Sequence, residues 1–404
     1  MAAGFGRALV VLKPRKATPF HARHPWVFDS AVDRVEGECG DGDVVDLVSE
    51  KRKFIARGII NRRSRLLVRL YTWNPAQALD DGFWRQRIQR AVQFRAQLGY
   101  DDPAGAARLV YSEADGLSGL VVDRYAGHLV VQINSLALAC RVDHLVGLLA
   151  EHWRPASITL RCDGGIAKAE GIDLSGPLQE GLRWGEVPAG PVFIEEHGLR
   201  YGVDLATGQK TGFYLDQREN RRAAAGYLRD RRVLDMFCFT GGFSLTASRL
   251  GAAREVLGVD VSEKAVAMAR ANAELNGVSN VRFACGDGFQ VLDELLESQQ
   301  RFDAIILDPP KFTRTRQSVD EALRAYHRIN RLAVALLAAD GILVTCSCSG
   351  SVTREDFLQM LAVVAQKTGR EIQILEQRGA SPDHPVSASC PESEYLKCFV
   401  CRVS

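Results

Sequence analysis

The sequence predicts an α/β protein whose C-terminal half is a doubly wound, mostly parallel sheet, preceded by a central α+β segment and a small N-terminal β-barrel. Three observations lead to this prediction. Short apolar runs separated by glycines fill residues 1–74. Strand and helix patterns alternate regularly over residues 191–404. The 404 residues are 46% hydrophobic and 25% charged, which is typical of globular domains with cores of their own.

The N-terminal segment, residues 1–74, is predicted to be a β-rich domain that contacts a polyanion. Its candidate strands are Ala8–Leu12, Asp43–Val48, Phe54–Ala56 and Leu66–Leu70. Residues 1–100 carry 18 Lys and Arg against 10 Asp and Glu, whereas the remaining residues carry 33 against 39. An excess of positive charge confined to one module favours phosphates as its partner. Arg62, Arg63 and Arg65 are therefore candidate RNA contacts.

The central segment, residues 75–190, mixes helix and strand patterns. Helices are predicted at Phe83–Leu98 and Val142–His152. Strands are predicted at Leu120–Val122, Leu129–Ile133 and Ile158–Cys162.

The C-terminal segment, residues 191–404, alternates strands with helices of 10–15 residues, which is typical of a parallel sheet covered on both faces. A helix to Leu250, a helix over Ser262–Asn276 and a long helix through about Ala338 separate the strands. The predicted strands are Val233–Phe237, Glu255–Asp260, Val281–Phe283, Phe302–Leu307 and Gly341–Thr345.

Acidic residues stand at the carboxyl ends of four successive strands, where open α/β sheets bind their ligands. They are Asp235, Asp260, Asp287 and Asp308. The glycines of the Asp235–Phe243 loop permit a close approach of backbone to ligand, but they do not form the dinucleotide pattern G-x-G-x-x-G. One such aspartate alone is compatible with a helix cap, whereas four in register predict a shared ligand site.

These segments together resemble the class I S-adenosylmethionine-dependent methyltransferases, whose sheet is mostly parallel and seven-stranded. The resemblance covers roughly residues 190–404 and implies S-adenosylmethionine as the cofactor. It implies that the Asp235–Gly242 loop faces the methionine part, Asp260 the ribose and Asp287 the adenine. The cofactor contacts expected in all are Phe213, Tyr214, Asp216, Asp235, Phe237, Cys238, Thr240, Gly241, Gly242, Asp260, Val261, Asp287, Gly288, Asp308 and Pro309.

The fifth strand runs into Thr345–Gly350, which contains Cys346 and Cys348. Strand cysteines are ordinarily core thiols, but this strand end lies beside Asp308, where a methyl donor must point. Carbon 5 of a pyrimidine becomes nucleophilic after a thiolate adds to carbon 6. A hydrogen bond from Asp308 at the N3 edge stabilises the charge that then develops.

The full chain is similar to the bacterial ribosomal RNA large subunit methyltransferase family of the RlmI type, which makes 5-methylcytosine in 23S ribosomal RNA. The similarity rests on His24–Phe28, Glu113–Tyr125, Gly208–Arg218, Asp383–Val386 and Glu394–Lys397. It implies an N-terminal PUA domain that binds RNA.

The nucleophile implied by this resemblance is Cys348, which aligns with the cysteine of a T-F-S-C-S-type motif. This sequence has Cys346 where the family pattern has an aromatic residue, and Cys346 remains a rival because other RNA cytosine-5 methyltransferases carry T-C-S.

Two other functions remain open. Asp308–Phe312 also fits an RNA or DNA amino-group methyltransferase, in which such a loop binds an exocyclic amine, but those enzymes need no cysteine on the fifth strand. A non-catalytic ribosomal RNA assembly factor on the same scaffold is the second alternative, and the intact cofactor loops disfavour it. Lys311, Phe312 and Arg314 are candidate contacts to the substrate RNA.

The sequence predicts no membrane segment, no secretory leader and no metal site. No apolar run approaches the roughly 20 residues that cross a bilayer. Ten cysteines spread over 404 residues do not form a disulfide framework, which favours the cytoplasm. Cys398 and Cys401 lie three apart in a predicted strand, so they point to opposite faces and cannot share a zinc ion.

Overall fold

The protein is described by a computed structural model that covers residues 7–175, 178–205, 212–312 and 318–404. Its chain divides into two compact units. The first unit comprises Met1–Val192, Val203–Phe213 and Pro382–Ser393. The second comprises Phe193–Gly202, Tyr214–Ser381 and Glu394–Ser404.

The N-terminal part of the first unit is a six-stranded sheet in the order β2-β6-β5-β4-β1-β3, accompanied by the short helix α1 (Thr18–His21). Strand β1 pairs with β4 in parallel and with β3 antiparallel. Its buried face is formed by aliphatic residues such as Val10, Val45 and Val68. The six strands are β1 (Leu9–Leu12), β2 (Trp26–Phe28), β3 (Val32–Glu36), β4 (Val44–Val48), β5 (Phe54–Ile60) and β6 (Leu66–Thr72).

The central part of the first unit is a five-stranded sheet in the order β11-β10-β9-β8-β7. Helix α2 begins after Asp80, whose carboxylate accepts a hydrogen bond from the Phe83 amide. The strands are β7 (Ala106–Tyr111), β8 (Leu120–Tyr125), β9 (His128–Ile133), β10 (Ser157–Arg161) and β11 (Gly181–Gly185). The helices are α2 (Asp81–Gln97), α3 (Leu136–Ala139), α4 (Val142–Trp153) and α5 (Gly164–Glu170).

A buried ionic cluster links the two sheets of the first unit. The Arg69 guanidinium on β6 lies 3.3 Å from the Glu113 carboxylate and 2.9 Å from that of Glu170. All three side chains are at most about a tenth exposed, so the charges are removed from water together. The domain boundaries at residues 74 and 190 remain predictions.

The second unit contains the predicted doubly wound sheet, seven strands in the order β16-β15-β14-β17-β18-β20-β19. The first five strands of that order are parallel, and β20 runs antiparallel to both β18 and β19. The strands are β14 (Arg232–Met236), β15 (Glu255–Asp260), β16 (Val281–Cys285), β17 (Phe302–Leu307), β18 (Leu337–Ser347), β19 (Ile372–Arg378) and β20 (Lys397–Val403). A two-stranded sheet of β12 (Val192–Glu196) and β13 (Leu199–Val203) precedes it in the chain.

Helices cover both faces of this sheet. On one face Val233 and Ile306 pack with Ala224 and Phe243 of α6 and α7. On the other face Leu234 and neighbouring side chains pack against α9, α10 and α11. The helices are α6 (Arg218–Ala225), α7 (Gly242–Arg249), α8 (Glu263–Leu275), α9 (Gly288–Glu297), α10 (Val319–Leu336) and α11 (Arg354–Thr368).

The long helix ends before the predicted Ala338. Helix α10 stops at Leu336, and Leu337 already belongs to β18, where it pairs with Phe302 of β17. The apolar run Leu332–Ala339 is compatible with a helix or a buried strand, and pairing with β17 decides its last residues.

Candidate active site

The carboxyl edge of the seven-stranded sheet brings the four predicted aspartates to successive strand ends. Asp235 is the next-to-last residue of β14, and Asp260 is the last residue of β15. Asp287 follows β16 by two residues, and Asp308 follows β17 directly. Because β14, β15, β16 and β17 are parallel, these side chains belong to one edge.

The loop after β14 is bent into an unusual backbone conformation. Phe237, Phe239 and Gly241 have φ values of +64°, +49° and +86°, which lie in the left-handed region. The amide of Phe239 donates a hydrogen bond of 2.9 Å to the Asp260 carboxylate. The loop after β14 is thereby fixed against the end of β15, and such a fixed backbone can bind a ligand in one defined position.

Asp235 is fully buried at this edge. One carboxylate oxygen accepts a hydrogen bond of 2.6 Å from the Ser244 hydroxyl on α7. The other oxygen has no hydrogen-bond partner among the described residues. Burial raises the pKa of Asp235 to about 7. A cationic ligand group would supply the missing partner.

Asp260 and Asp287 both organise local backbone. Asp260 accepts hydrogen bonds from the amides of Phe239 and Ser262, each of 2.9 Å. Asp287 caps α9 through one oxygen, which accepts from the amides of Phe289 and Gln290, each at 3.0 Å. Each carboxylate oxygen has two lone pairs, so these bonds leave acceptor capacity for a ligand. Val261, beside Asp260, exposes 68% of its surface.

The residues at this edge fit the expected cofactor. Besides the Asp235 oxygen, the buried hydroxyl of Thr240 has no partner within the described ranges. A Cβ atom at Gly288 would lie 2.6 Å from the Phe237 ring, so glycine is required for that close contact. Gly241 and Gly242, with Cys238, are buried in the same loop. Unpaired polar atoms beside small residues form a site for a polar ligand.

Asp308 is held by a chain of amide groups on η1, the short 3₁₀ segment Leu215–Gln217, and on α6. The side chain of Gln217 donates a hydrogen bond of 2.9 Å to the half-buried Asp308 carboxylate. The side-chain oxygen of the same Gln217 amide accepts a hydrogen bond of 2.7 Å from the Asn220 side chain. Gln217 is 2% exposed and Asn220 is 1% exposed, so both are fixed by packing. The orientation of Asp308 is therefore preset.

The two cysteines of the fifth strand differ in environment. Cys346 lies within β18, is fully buried and packs in a cluster with Val344 and Cys398. A hydrogen bond with the Cys398 thiol and burial raise the pKa of Cys346 well above its usual range. Cys348 lies just after β18, is half-buried, and its Sγ atom is 3.8 Å from the Pro309 carbonyl oxygen. Of the two, only Cys348 is partly exposed, and it lies at the carboxyl edge of the sheet.

Tyr214 and a hydrogen-bonded pair of Tyr395 and Asp216 lie near this edge of the sheet. Tyr214 packs edge-on against Phe239 with ring centroids 5.1 Å apart. Burial, followed by the charges of Asp308 and Cys348, raises the pKa of Tyr214. The Tyr395 hydroxyl donates a hydrogen bond to the buried Asp216 carboxylate. Tyr214 therefore lies close enough to Asp308, Cys348 and Asp216 to feel their charges.

The predicted RNA contacts after β17 differ in their exposure to solvent. Lys311 is exposed, with its ammonium 5.9 Å from the centre of the Tyr395 ring. Phe312 is half-buried and packs on Tyr326 of α10, with ring centroids 4.8 Å apart. Arg314 lies outside the described residues.

The remaining site predictions fall in the first unit. Phe213 exchanges hydrogen bonds with the Tyr125 hydroxyl, its amide donating at 3.2 Å and its carbonyl accepting at 3.3 Å. Arg62 and Arg63 are exposed but engaged: Arg62 donates to the Cys39 carbonyl at 2.6 Å, and Arg63 pairs with Asp41 at 3.0 Å. The exposed Arg65 has no side-chain partner within the described residues.

A group of potential metal ligands in the first unit was not anticipated from the sequence. The ligand atoms of His24, Cys390 and Glu392 lie within 4.8 Å of one another. Burial raises the pKa of the Cys390 thiol to about 12, so it is protonated at neutral pH.

In the second unit, Cys398 and Cys401 pack into different clusters on the two sides of β20, as their spacing predicted.

Two polar residues of the site were not selected from the sequence. Gln217 supports Asp308 from 91 positions away, and no local pattern signals that contact. Lys397 is 2% exposed at the start of β20, beside the loop that carries Cys348. The same strand also carries the exposed Arg402, so the sequence did not single out Lys397.

In the part of the chain that the structure describes, no helix has both the length and the apolarity that crossing a membrane requires.

Comparison with known proteins agrees with the geometry of this edge. A sequence model of the S-adenosylmethionine-dependent methyltransferase family matches residues 183–391, and a model of the PUA-like domain matches residues 10–73. A ribosomal RNA large subunit methyltransferase I from Cronobacter sakazakii is 39% identical over 398 residues, covering 98% of this chain and 99% of that protein. One of the same name from Escherichia coli O139:H28 is 39% identical over 397 residues, with the same coverage.

Solved structures show the same fold. A methyltransferase complexed with SAH superposes with a TM-score of 0.83 at 19% identity, covering 98% of this chain and 99% of its own. A SAM-dependent methyltransferase from Streptococcus mutans superposes with a TM-score of 0.82 at 19% identity and the same coverage.

Proposed function

The chain belongs to the S-adenosylmethionine-dependent methyltransferases, among the ribosomal RNA large subunit methyltransferases I, and we propose that it methylates carbon 5 of a cytidine in 23S ribosomal RNA through a covalent adduct on Cys348. S-adenosylmethionine is its cofactor, and its N-terminal domain is PUA-like. Beyond the family and the cofactor, the proposal specifies the methylated base (cytosine), the methylated atom (carbon 5) and the nucleophile (Cys348).

The observation that carries the proposal is the half-buried Cys348 thiol beside the loop of Asp308. Its Sγ atom lies 3.8 Å from the carbonyl oxygen of Pro309, the residue after Asp308. In the proposed complex a single pyrimidine ring would lie between the Cys348 thiol and the Asp308 carboxylate, which stand on adjacent loops. This is the arrangement that attack on carbon 6 and charge stabilisation at N3 both require.

The chain's own residues would act as follows. Cys348 gives its proton to water and its sulfur adds to carbon 6 of cytosine, which makes carbon 5 nucleophilic. S-adenosylmethionine supplies an electrophilic methyl group on its sulfonium. Asp308, oriented by Gln217, shares a proton with N3 as that nitrogen gains negative charge. A water molecule takes the carbon 5 proton, and the electrons of that C–H bond re-form the carbon 5–carbon 6 double bond as the bond to the Cys348 sulfur breaks, which restores the aromatic base.

The cofactor contacts are part of the proposal. The unpaired oxygen of Asp235 would accept a hydrogen bond from the ammonium group of the methionine part, and the unpaired Thr240 hydroxyl would bond the same part of the cofactor. Asp260 would accept hydrogen bonds from the ribose hydroxyls, and Asp287 would accept one from the adenine amino group. Tyr214 and Asp216 would line the methionine end of the site.

The burial of Cys346 supports Cys348 as the nucleophile. Cys346 is fully buried and its thiol is hydrogen-bonded to the Cys398 thiol, so a substrate base cannot reach its sulfur without opening the β18–β20 pair. The packing of Phe312 disfavours the amino-group alternative. That reaction uses the aromatic residue of the loop to stack the base, whereas Phe312 packs on Tyr326.

The test is methyl transfer from labelled S-adenosylmethionine to unmodified 23S ribosomal RNA, with the product mapped by bisulfite sequencing. We expect 5-methylcytosine at one position with the wild-type protein and with Cys346→Ala, and none with Cys348→Ala. Label confined to exocyclic nitrogens would overturn the reaction class. Unchanged transfer by Cys348→Ala would overturn the nucleophile.

A further inference from the structure

Lys397 is a buried cation beside the loop of Cys348. It is 2% exposed and begins β20, where it pairs with Ser347 of β18. Its ammonium donates hydrogen bonds to the carbonyl oxygens of Ser349 at 2.7 Å and of Tyr395 at 2.8 Å. Lys397 therefore fixes the backbone immediately after Cys348.

Lys397 has no carboxylate partner within ion-pair distance in the described ranges of the chain. A buried ammonium without a counter-charge is costly, and burial lowers the pKa of Lys397 to about 8. Glu394 is the carboxylate whose charge acts on Lys397, but its side chain is 42% exposed and pairs with Arg354 at 2.7 Å.

Four charged groups act on Lys397 from the surrounding elements. The Cys348 thiolate and Glu394 raise its pKa, with Cys348 the stronger, whereas the positive charges of Arg354 and Lys311 lower it. Arg354 is already paired with Glu394. The Lys397 ammonium lies 2.7 Å from the carbonyl oxygen of Ser349, the residue after Cys348, and this geometry makes Cys348 the candidate counter-charge.

We propose that Lys397 is the positioning residue of the nucleophile: it holds the Cys348–Ser349 turn through the Ser349 carbonyl and stabilises the Cys348 thiolate as its counter-charge. This inference rests on the proposed function, because it assigns a role to Lys397 through Cys348. At neutral pH Lys397 is protonated, the thiol proton passes to water, and the sulfur keeps the electron pair with which it attacks carbon 6. A lysine in this role lowers the pH at which the thiol becomes reactive.

The test is the pH profile of Cys348 alkylation by iodoacetamide on the full chain without RNA, followed by mass spectrometry of the Cys348 peptide. Unperturbed cysteines react with a midpoint near pH 8.5. We expect the wild-type midpoint to lie below that value. The exposed cysteines Cys140 and Cys285 are internal controls in the same sample.

Replacement of Lys397 separates charge from hydrogen bonding. Lys397→Met should raise the midpoint by one pH unit or more, which lowers the alkylation rate at pH 7 about tenfold. Lys397→Gln keeps a donor without the charge and should behave like Lys397→Met, whereas Lys397→Arg should retain most of the wild-type profile. Lys367→Met removes an exposed lysine from α11 and should change nothing.

A wild-type midpoint at or above pH 8.5 would overturn the inference, even if every variant failed to fold. A folded Lys397→Met with the wild-type profile would do the same. These outcomes are distinct from failure of the proposed function, which appears as methyl transfer by Cys348→Ala whatever the alkylation profile shows.

Discussion

The sulfur of Cys348 lies 3.8 Å from the carbonyl oxygen of Pro309. This contact joins the loops that follow the parallel neighbours β17 and β18. It brings the proposed nucleophile to within one residue of Asp308, the group proposed to polarise the base. The account of catalysis therefore depends on two adjacent strand ends, and each prediction below perturbs one part of that edge or its RNA contacts.

Alanine at the two cysteines should give opposite results. Cys348→Ala should lower kcat by at least about 10³-fold, because no other thiol replaces the lost sulfur. Cys346→Ala should retain activity within about threefold and lower the free energy of unfolding by about 1 kcal/mol, since it removes one buried atom from a packed core. Single-turnover methyl transfer and urea denaturation measure the two effects. A loss of activity in Cys346→Ala at unchanged stability would transfer the role to that residue.

Gln217 should matter for rate and not for cofactor affinity. Gln217→Ala removes the amide that donates to Asp308 at 2.9 Å, so the carboxylate loses its preset orientation. We expect kcat to fall about tenfold while the affinity for S-adenosylhomocysteine, measured by calorimetry, stays within twofold. Gln366→Ala, an exposed glutamine on α11, is the matched control. Equal loss in both variants would contradict the positioning role.

Cofactor binding should strengthen as pH rises through about 7. Burial holds the pKa of Asp235 at about 7, and only its charged form attracts the cofactor's ammonium group. Calorimetric titration with S-adenosylhomocysteine at pH 6 and pH 8 should show tighter binding at pH 8. Asp235→Asn should bind more weakly at pH 8 and lose the pH dependence. A flat wild-type profile would show that Asp235 does not meet that group.

The raised pKa of Asp235 should also make the free energy of unfolding depend on pH. The folded-state pKa of Asp235 is raised above its unfolded value near 3.8, so its contribution to stability is fully present below pH 3.8 and is lost as pH rises through about 7. The free energy of unfolding of Asp235→Asn, measured by urea denaturation between pH 5 and pH 8, should lack this decline. An identical decline in wild type and variant would assign it to another group.

Among the predicted RNA-binding arginines, Arg65 should contribute most. Its side chain has no partner within the described residues, whereas Arg62 and Arg63 bond to Cys39 and Asp41. Arg65→Ala should weaken binding to 23S ribosomal RNA several-fold and reduce the salt slope of binding by about one.

Arg34→Ala is the control for that measurement, because Arg34 is exposed in the same domain and paired with Asp33 and Glu36. Filter-binding or fluorescence titrations over a range of salt concentrations give both quantities. An unchanged salt slope for Arg65→Ala would exclude a phosphate contact.

Regular strands were predictable from the sequence wherever a continuous apolar run had a clear end. The bounds of β15 and β17 agree with the prediction to the residue. Strands β2 and β3 were not predicted, because Trp26–Phe28 is short and Val32–Glu36 is only partly buried. Their formation depends on pairing with β6 and β1, which sequence periodicity does not report.

The aspartates of the site were predictable because topology alone brings parallel strand ends to one edge. Gln217 and Lys397 were not, since their roles come from contacts across the fold. Gln217 meets Asp308 only when η1 lies beside the end of β17, and Lys397 meets Ser349 only when β20 pairs with β18. Long-range hydrogen bonds of buried polar side chains have no signature in local sequence.

The most direct test of the central claim is to trap the covalent adduct. Ribosomal RNA carrying 5-fluorocytidine cannot lose a proton from carbon 5, so the bond between sulfur and carbon 6 persists after methyl transfer. Mass spectrometry of the digested complex should place one nucleotide on the peptide that contains Cys348, and Cys348→Ala should form no adduct. An adduct on Cys346, or no adduct from a protein that methylates ordinary RNA, would contradict the account.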